Sequence, residues 1–278
     1  MTPGAMTDPV AAAAALDGLP EGVAALAKVV QGVLIHEHVA PTYGVTLSDA
    51  RRETVHLRRV ADLLAAILAD GRGPLDRSRA PAERVTGVCR HFTLLHIALL
   101  RRQGRAARAR CGFGTYFTPG KFVDHWVTET WDEECQRWTL VDAQLDGHQR
   151  RLFGIGFDPL DVPRDRFVVA GDAWRMCRDG LADPAAFGVH AMAGLWFVAS
   201  NVIRDVAALA GYEMLPWDVW GAMTSDDAAL DLPLIDRLAR LSSAPGTAAG
   251  ELAAVLADPR VAIPDTVFNA VRNRVEPV

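Results

Sequence analysis

Three side chains in this 278-residue chain stand where thiol chemistry would want them: Cys89, His125 and Asp142. Cys89 follows Gly87-Val88 and opens a run, CRHFTLLHIALLRRQG, that reads as one amphipathic helix with Phe92, Leu95 and Leu99 inward. At a helix start, unpaired amides and the helix dipole stabilise negative charge, which favours a thiolate and supplies donors for a tetrahedral oxyanion. His125 opens the segment HWVTETW and Asp142 closes RWTLVD, with the polar link DEECQ between them. Two such segments pair as an antiparallel hairpin, which sets the start of one beside the end of the other. A carboxylate so placed reaches the imidazole, holds its tautomer and leaves the other ring nitrogen facing a thiol. The order of residues is that of a Cys-His-Asp nucleophilic triad.

Each member has an ordinary alternative. A cysteine at a helix start is often a small buried hydrophobe, a histidine before Trp126 a satisfied core group, and a strand-terminal aspartate a turn cap. Taken together in a helix-then-hairpin context, they favour catalysis. Phe113, Tyr116, Trp126 and Gln144 flank the three and are candidate substrate-binding residues, with core packing equally open to the aromatics.

The elements that must position these residues follow from periodicity and breakers. Residues 1–18 read as a flexible tail, and 19–278 as one domain. A helix is expected from Glu21 to about Val39, where Pro41 ends it. Another is expected from Ser48 and Asp49 as caps through Leu57, Val60, Leu63, Leu64, Ile67 and Leu68 to a stop at Gly71. After the nucleophile's helix come a strand from Ala107 to Phe113 and the hairpin. Residues 147–278 read as mostly helical, with Val189 to Ala210 the longest helix. The class is α+β.

The block GVCRHFTLLHIALLRRQGRAARARCGF, then DHWVTET, then RWTLVDAQLD, resembles the core of the transglutaminase-like superfamily of papain-type thiol enzymes. The likeness rests on the G-x-C before a helix and Gly104 with Arg108. It also rests on His125 with Trp126 and Glu129, and on Trp138 with Asp142. It covers residues 82–146. It implies a papain-like core, in which a nucleophile helix packs on a small antiparallel sheet with extra helices at both ends. It also implies the roles given to Cys89, His125 and Asp142. The reaction stays open between hydrolysis and transfer of an acyl group to an amine. The arylamine N-acetyltransferases are a weaker likeness, because Arg84 to Cys89 lacks their paired glycines and Ala143-Gln144 follows the aspartate. A non-catalytic protein that holds a peptide or metabolite on the same fold is the alternative from another class.

Composition narrows the partners. The net charge of -5, without a basic patch, argues against nucleic acid. Arginine far outnumbers lysine, which fits a GC-rich coding sequence better than an arginine-specific function. The most apolar stretch, Gly188 to Ile203, is interrupted by His190, Ser200 and Asn201 and is too short to span a bilayer. Cys89, Cys111, Cys135 and Cys177 form no close pair, as expected of reduced thiols in a cytoplasmic protein. His36 and His38, two apart on an expected helix, would face different ways and fit a metal poorly. The expectation is an enzyme without metal or cofactor, acting on a small-molecule or peptide acyl substrate that is an amide or thioester, with no nucleic acid or membrane partner. Oligomeric state is not legible.

Overall fold

The computed structural model describes residues 4–69, 73–244 and 249–278, and shows a mixed chain of helices and small sheets. Its internal contacts separate two compact units: residues 1–109 with 127–162, and residues 110–126 with 163–278. Among the described residues no helix is long and apolar enough to cross a membrane.

The first unit opens with more local structure than the expected tail, since Val10–Leu16 forms a 3-10 helix and Met6 and Leu16 are buried. Helix α1, Val23–Val33, buries Leu26, Ala27, Val30 and Val33 at helical spacing. It stops six residues short of Val39. Leu34–His36 instead forms strand β1, paired in parallel with β2, Val85–Gly87. An apolar, β-branched run found a strand partner, and that partner leads directly into Cys89.

The second expected helix is also interrupted. It consists of α2, Asp49–Arg52, a 3-10 turn, Glu53–His56, and α3, Val60–Leu68, with Leu57 extended between them. The interruption has a cause in hydrogen bonding. The Leu57 and Arg58 carbonyls accept from Arg90 and His91 instead of from helical amides. Gly71, read as the stop, lies outside the described residues.

Helix α4, Cys89–Arg102, is buried at every residue from Cys89 to Leu100. It is therefore a core helix and not the one-faced amphipathic helix its pattern suggested. Strand β3, Ala107–Gly114, follows. Strands β4, Phe122–Asp132, and β5, Arg137–Val141, form the expected antiparallel hairpin, in register from Thr128 with Val141 to Asp132 with Arg137. Arg108 on β3 pairs with buried Glu129 at 2.7 Å and lies 3.9 Å over the Trp138 ring. Three residues of the motif set are thus an architectural stack. Helix α5, Gly147–Leu152, is capped by Asp146, which accepts from the amides of His148 and Gln149.

Among the described residues, 147–278 carry six short strands besides their helices. In the second unit β6, Phe167–Val169, pairs antiparallel with Gly112–Gly114 and leads into α6, Ala170–Arg178. Strand β7, Phe187–Val189, runs parallel to Phe122–Val123 and turns back as β8, Met192–Ala193. Helix α7, Leu195–Leu209, is shorter than the span read from sequence because Gly194, at φ 133°, caps it in a non-helical conformation. At Gly188 a Cβ would stand 1.9 Å from the Met192 carbonyl oxygen, so only glycine allows that hairpin. Strand β9, Asp218–Val219, helices α8, Leu232–Ser243, and α9, Ala249–Leu256, and strands β10, Thr266–Asn269, and β11, Arg274–Pro277, complete the chain. Strand β10 pairs antiparallel with both β9 and β11. Helices α6, α7 and α8 pack together. A buried Arg110–Asp205 pair, 2.8 Å apart, lies within this unit, and Asp205 also accepts from the Cys111 amide and the Ser242 hydroxyl.

Candidate functional site

Cys89 is the first residue of α4 and is buried, with 7% of its surface exposed. The residues around it explain the local sequence. His91, in the same first turn, folds back so that its Nδ1 accepts the Val88 amide at 3.2 Å, while its Nε2–H donates to the Leu57 carbonyl at 3.1 Å. The ring lies against Gly87, where a Cβ would come within 2.9 Å of the His91 Cβ. Glycine at the first position of the G-x-C pattern makes room for that ring. Arg90 donates from two guanidinium nitrogens to the Leu57 and Arg58 carbonyls.

Burial, and next the Arg90 charge, push His91 down to about 3. A protonated Nδ1 would also confront the Val88 N–H. His91 is therefore a neutral structural ligand of the helix start and has no proton to exchange near pH 7. His96, two turns past Cys89, is likewise pushed down by burial to about 4. It sits between the Thr128 hydroxyl at 3.0 Å and the Val23 carbonyl at 3.3 Å. The strand entering α4 is equally tied. Thr54 donates to the Thr86 carbonyl at 2.6 Å, and Gly87 accepts from the Glu37 amide at 2.9 Å.

Asp142 lies in the same unit, one residue past the end of β5, and is buried. Its amide donates to the Pro159 carbonyl at 2.8 Å, and its Oδ1 accepts the Gln144 amide at 3.1 Å, an Asx turn. Gln144 is also buried, and its side-chain amide donates to Gln149 Oε1 at 2.9 Å. The Gln144 side-chain oxygen, Oε1, is buried with no hydrogen-bond partner.

His125 belongs to the second unit and is buried. Phe117 meets its ring edge-on at 4.8 Å, with Tyr116 at 5.9 Å and Phe167 at 6.3 Å. Gly114 allows this enclosure, because a Cβ there would come within 2.9 Å of the Phe117 ring and 3.1 Å of Tyr116. Asp124, its neighbour on the strand, accepts from Asn201 Nδ2 at 2.7 Å, and burial holds its carboxyl above the usual range. Phe113 is fully buried and packs edge-on against Phe187 at 5.1 Å, which is core packing. Trp126 is buried too, its indole N–H lacking a partner.

The sequence reading did not single out Phe117, His91 as a cap, or the Tyr43–Gln149 pair that meets Gln144. For His91 a signal existed in the spacing, since a side chain three residues past a helix N-cap can reach back to the cap's amide. His36 lies on β1, not on a helix, and its Nδ1 accepts the His38 amide at 3.2 Å. Among the described residues no group of three or more His, Cys, Asp or Glu is disposed to hold a metal.

No protein-family model matches the chain, and no curated protein does. A structural comparison finds a solved structure described as a "putative cysteine protease" from Cytophaga hutchinsonii. The two are 18% identical with a TM-score of 0.36, over 62% of this chain and 47% of the other. The chain thus spans about half the length of that neighbour.

Proposed function

We propose that the protein is a papain- or transglutaminase-like thiol enzyme in which Cys89 attacks an acyl carbonyl, His125 moves the proton and Asp142 orients His125. The observation that carries this reading is the alignment of α4 with β4, set by two bonds within the first unit. Ala106, just past the helix, accepts the Trp131 amide at 3.0 Å, and His96 meets Thr128 at 3.0 Å. Helix and strand therefore advance in the same direction. From His96 back to Cys89 the helix covers about 10 Å at ~1.5 Å per residue. From Thr128 back to position 125 the strand covers about 10 Å at ~3.3 Å per residue. The proposal takes β4 to keep this course back to position 125, level with Cys89.

The hairpin register supports the third member. Thr128 pairs with Val141, so the next residue, Asp142, falls opposite Val127. Alternation along a strand gives positions 125 and 127 the same face.

The chemistry balances without a further reagent. The Cys89 sulfur forms a bond to the acyl carbon while its proton passes to the imidazole, and first-turn amides of α4 hold the oxyanion. Collapse breaks the bond to the leaving amine or thiol, which takes the proton from the imidazolium. Water, deprotonated by the imidazole, then cleaves the thioester, releasing the acid and restoring the thiol. An amine in place of water would make the same intermediate a transfer.

Iodoacetamide labelling with mass-spectrometric site mapping tests the proposal. Exposure alone ranks Cys135, which is exposed, first and the buried Cys89 and Cys111 last. Cys177 is further slowed because burial and Asp183 push its thiol up to about 11. The proposal expects the opposite order at pH 7, with Cys89 ahead of Cys135 and that lead lost in His125→Ala. Labelling that follows exposure, with Cys89 inert, would leave a binding protein and not an enzyme.

A further inference from the structure

Gln144 sits in a chain of hydrogen bonds that admits one orientation for each amide. The Tyr43 hydroxyl is 2.8 Å from Asp146 Oδ1, and burial followed by this bond holds the phenol well above its usual range. Tyr43 therefore keeps its proton, donates a hydrogen bond to Asp146 and accepts one from Gln149 Nε2 at 3.3 Å. The same Nε2 is 3.1 Å from the Gln144 backbone carbonyl, which can only accept. Gln149 cannot be turned over without setting carbonyl against carbonyl. Its Oε1 must then face Gln144, and at 2.9 Å only the Gln144 amide nitrogen satisfies it. Gln144 Oε1 is what remains, an acceptor fixed by its neighbours, buried, and without a partner.

A buried acceptor left unmatched is destabilising, so its maintenance by an ordered relay calls for a ligand that completes it. Gln144 N–H also donates to Asp142 Oδ1, so this acceptor is covalently tied to the turn that holds the proposed orienting acid. We propose that Gln144 Oε1 receives an N–H of the acyl substrate, and that the substrate is therefore an amide or peptide-like molecule bearing an N–H next to the reacting carbonyl. This rests on the thiol-enzyme reading above and decides between its two acyl classes, since a simple thioester offers no such donor.

Two electrophiles of the same reactivity class test it: N-methyl-2-chloroacetamide, which has one N–H, and N,N-dimethyl-2-chloroacetamide, which has none. Each alkylates sulfur with loss of chloride. Their rate ratio at Cys89 is divided by the ratio for a small free thiol to remove intrinsic reactivity and size. The inference expects about a fivefold to tenfold preference for the N–H probe, the worth of one hydrogen bond. Gln144→Met, which keeps the length and loses the acceptor, should abolish the preference. Should that buried change impair folding, Tyr43→Phe is the second variant. Without the hydroxyl the relay is loosened, and the preference should fall by at least half. Rapid alkylation of Cys89 by both probes in equal measure overturns the inference and spares the enzyme reading. A preference unchanged in Gln144→Met or Tyr43→Phe overturns it as well. Slow alkylation by both probes, no faster than at Cys135, overturns the enzyme reading itself and this inference with it.

Discussion

Replacing Gly87 with alanine isolates the role of glycine in the G-x-C pattern. The new Cβ would stand 2.9 Å from the His91 Cβ and 3.2 Å from its Cγ, where ordinary contacts begin near 3.4 Å. Neither side gives way freely. The imidazole is held from both nitrogens, by the Val88 amide and the Leu57 carbonyl. Gly87 is held by pairing with His36 and by the Glu37 amide. Gly87 has no positive φ to relieve, so the whole effect is steric. Overpacking of this kind costs about 1–3 kcal/mol, and slackening either His91 bond adds to it. At about 2–4 °C per kcal/mol for a chain of this size, thermal unfolding should fall by roughly 4–8 °C. The decisive assay is a double-mutant cycle with His91→Gly, which removes both atoms the methyl would meet. In that background Gly87→Ala should cost about 0.5 kcal/mol or less, a coupling above 1 kcal/mol. Alkylation of Cys89 should slow in the single variant while Cys135 is unaffected. Equal costs in both backgrounds, or no cost in either, would refute the steric account of this glycine.

Acid should destabilise the fold through two histidines. His91 and His96 titrate at about 3 and about 4 when folded and near 6.5 when unfolded. Below pH 6.5 the unfolded chain binds protons that the folded chain refuses. The stability is thus fully present above that pH and drains as pH falls toward 4. At pH 4.5 the loss is about 2–3 kcal/mol for each ring, and His96→Gln should flatten that limb of a stability–pH curve by half. A limb unchanged in His96→Gln would mean that other groups carry it. Asp205→Ala should cost more than about 3 kcal/mol by stranding Arg110, while Arg110→Met with Asp205→Leu should recover most of it. Urea unfolding reads both, and a double variant no better than the single would argue against a stranded charge.

How far the sequence was legible follows the physics of each element. Helix α4 and the β4–β5 hairpin were readable because their patterns are local: an apolar helical run with a glycine stop, and two β-rich segments around a polar link. The breaks were not. Leu34 to His36 continues a helical pattern, yet it forms β1 because Val85–Gly87, half a hundred residues away, offers a strand edge. The Ser48-to-Leu68 segment reads as one helix, and its interruption at Leu57 and Arg58 depends on Arg90 and His91. Only tertiary contacts reveal that a carbonyl is wanted elsewhere. Among the candidate residues, Phe113 could not be told from a pocket residue by type alone, and its ring proves to lie against Phe187. Gln144 was legible as a polar residue near Asp142, but its orientation needed Tyr43 and Gln149, each far from it or invisible in pattern.

The residues after Gly87 divide their work in a way that bears on why a thiol stands where it does. A helix start leaves its first amides unpaired, and a mobile start would spread that positive field over many geometries. Here Arg90 and His91 turn away from position 89 and fasten the first turn to Leu57 and Arg58. Because His91 is kept neutral by burial, it adds no competing charge of its own at the helix start. The Cys89 backbone is therefore held by its neighbours and not by its own side chain. A packing cysteine would require no such fastening, since a small apolar group tolerates displacement of a few tenths of an ångström. A nucleophile does require it, because a misplacement of about 1 Å can cost about a hundredfold in rate. The fastening of this junction is what the proposed thiol chemistry at position 89 would require, and it is read without any resemblance.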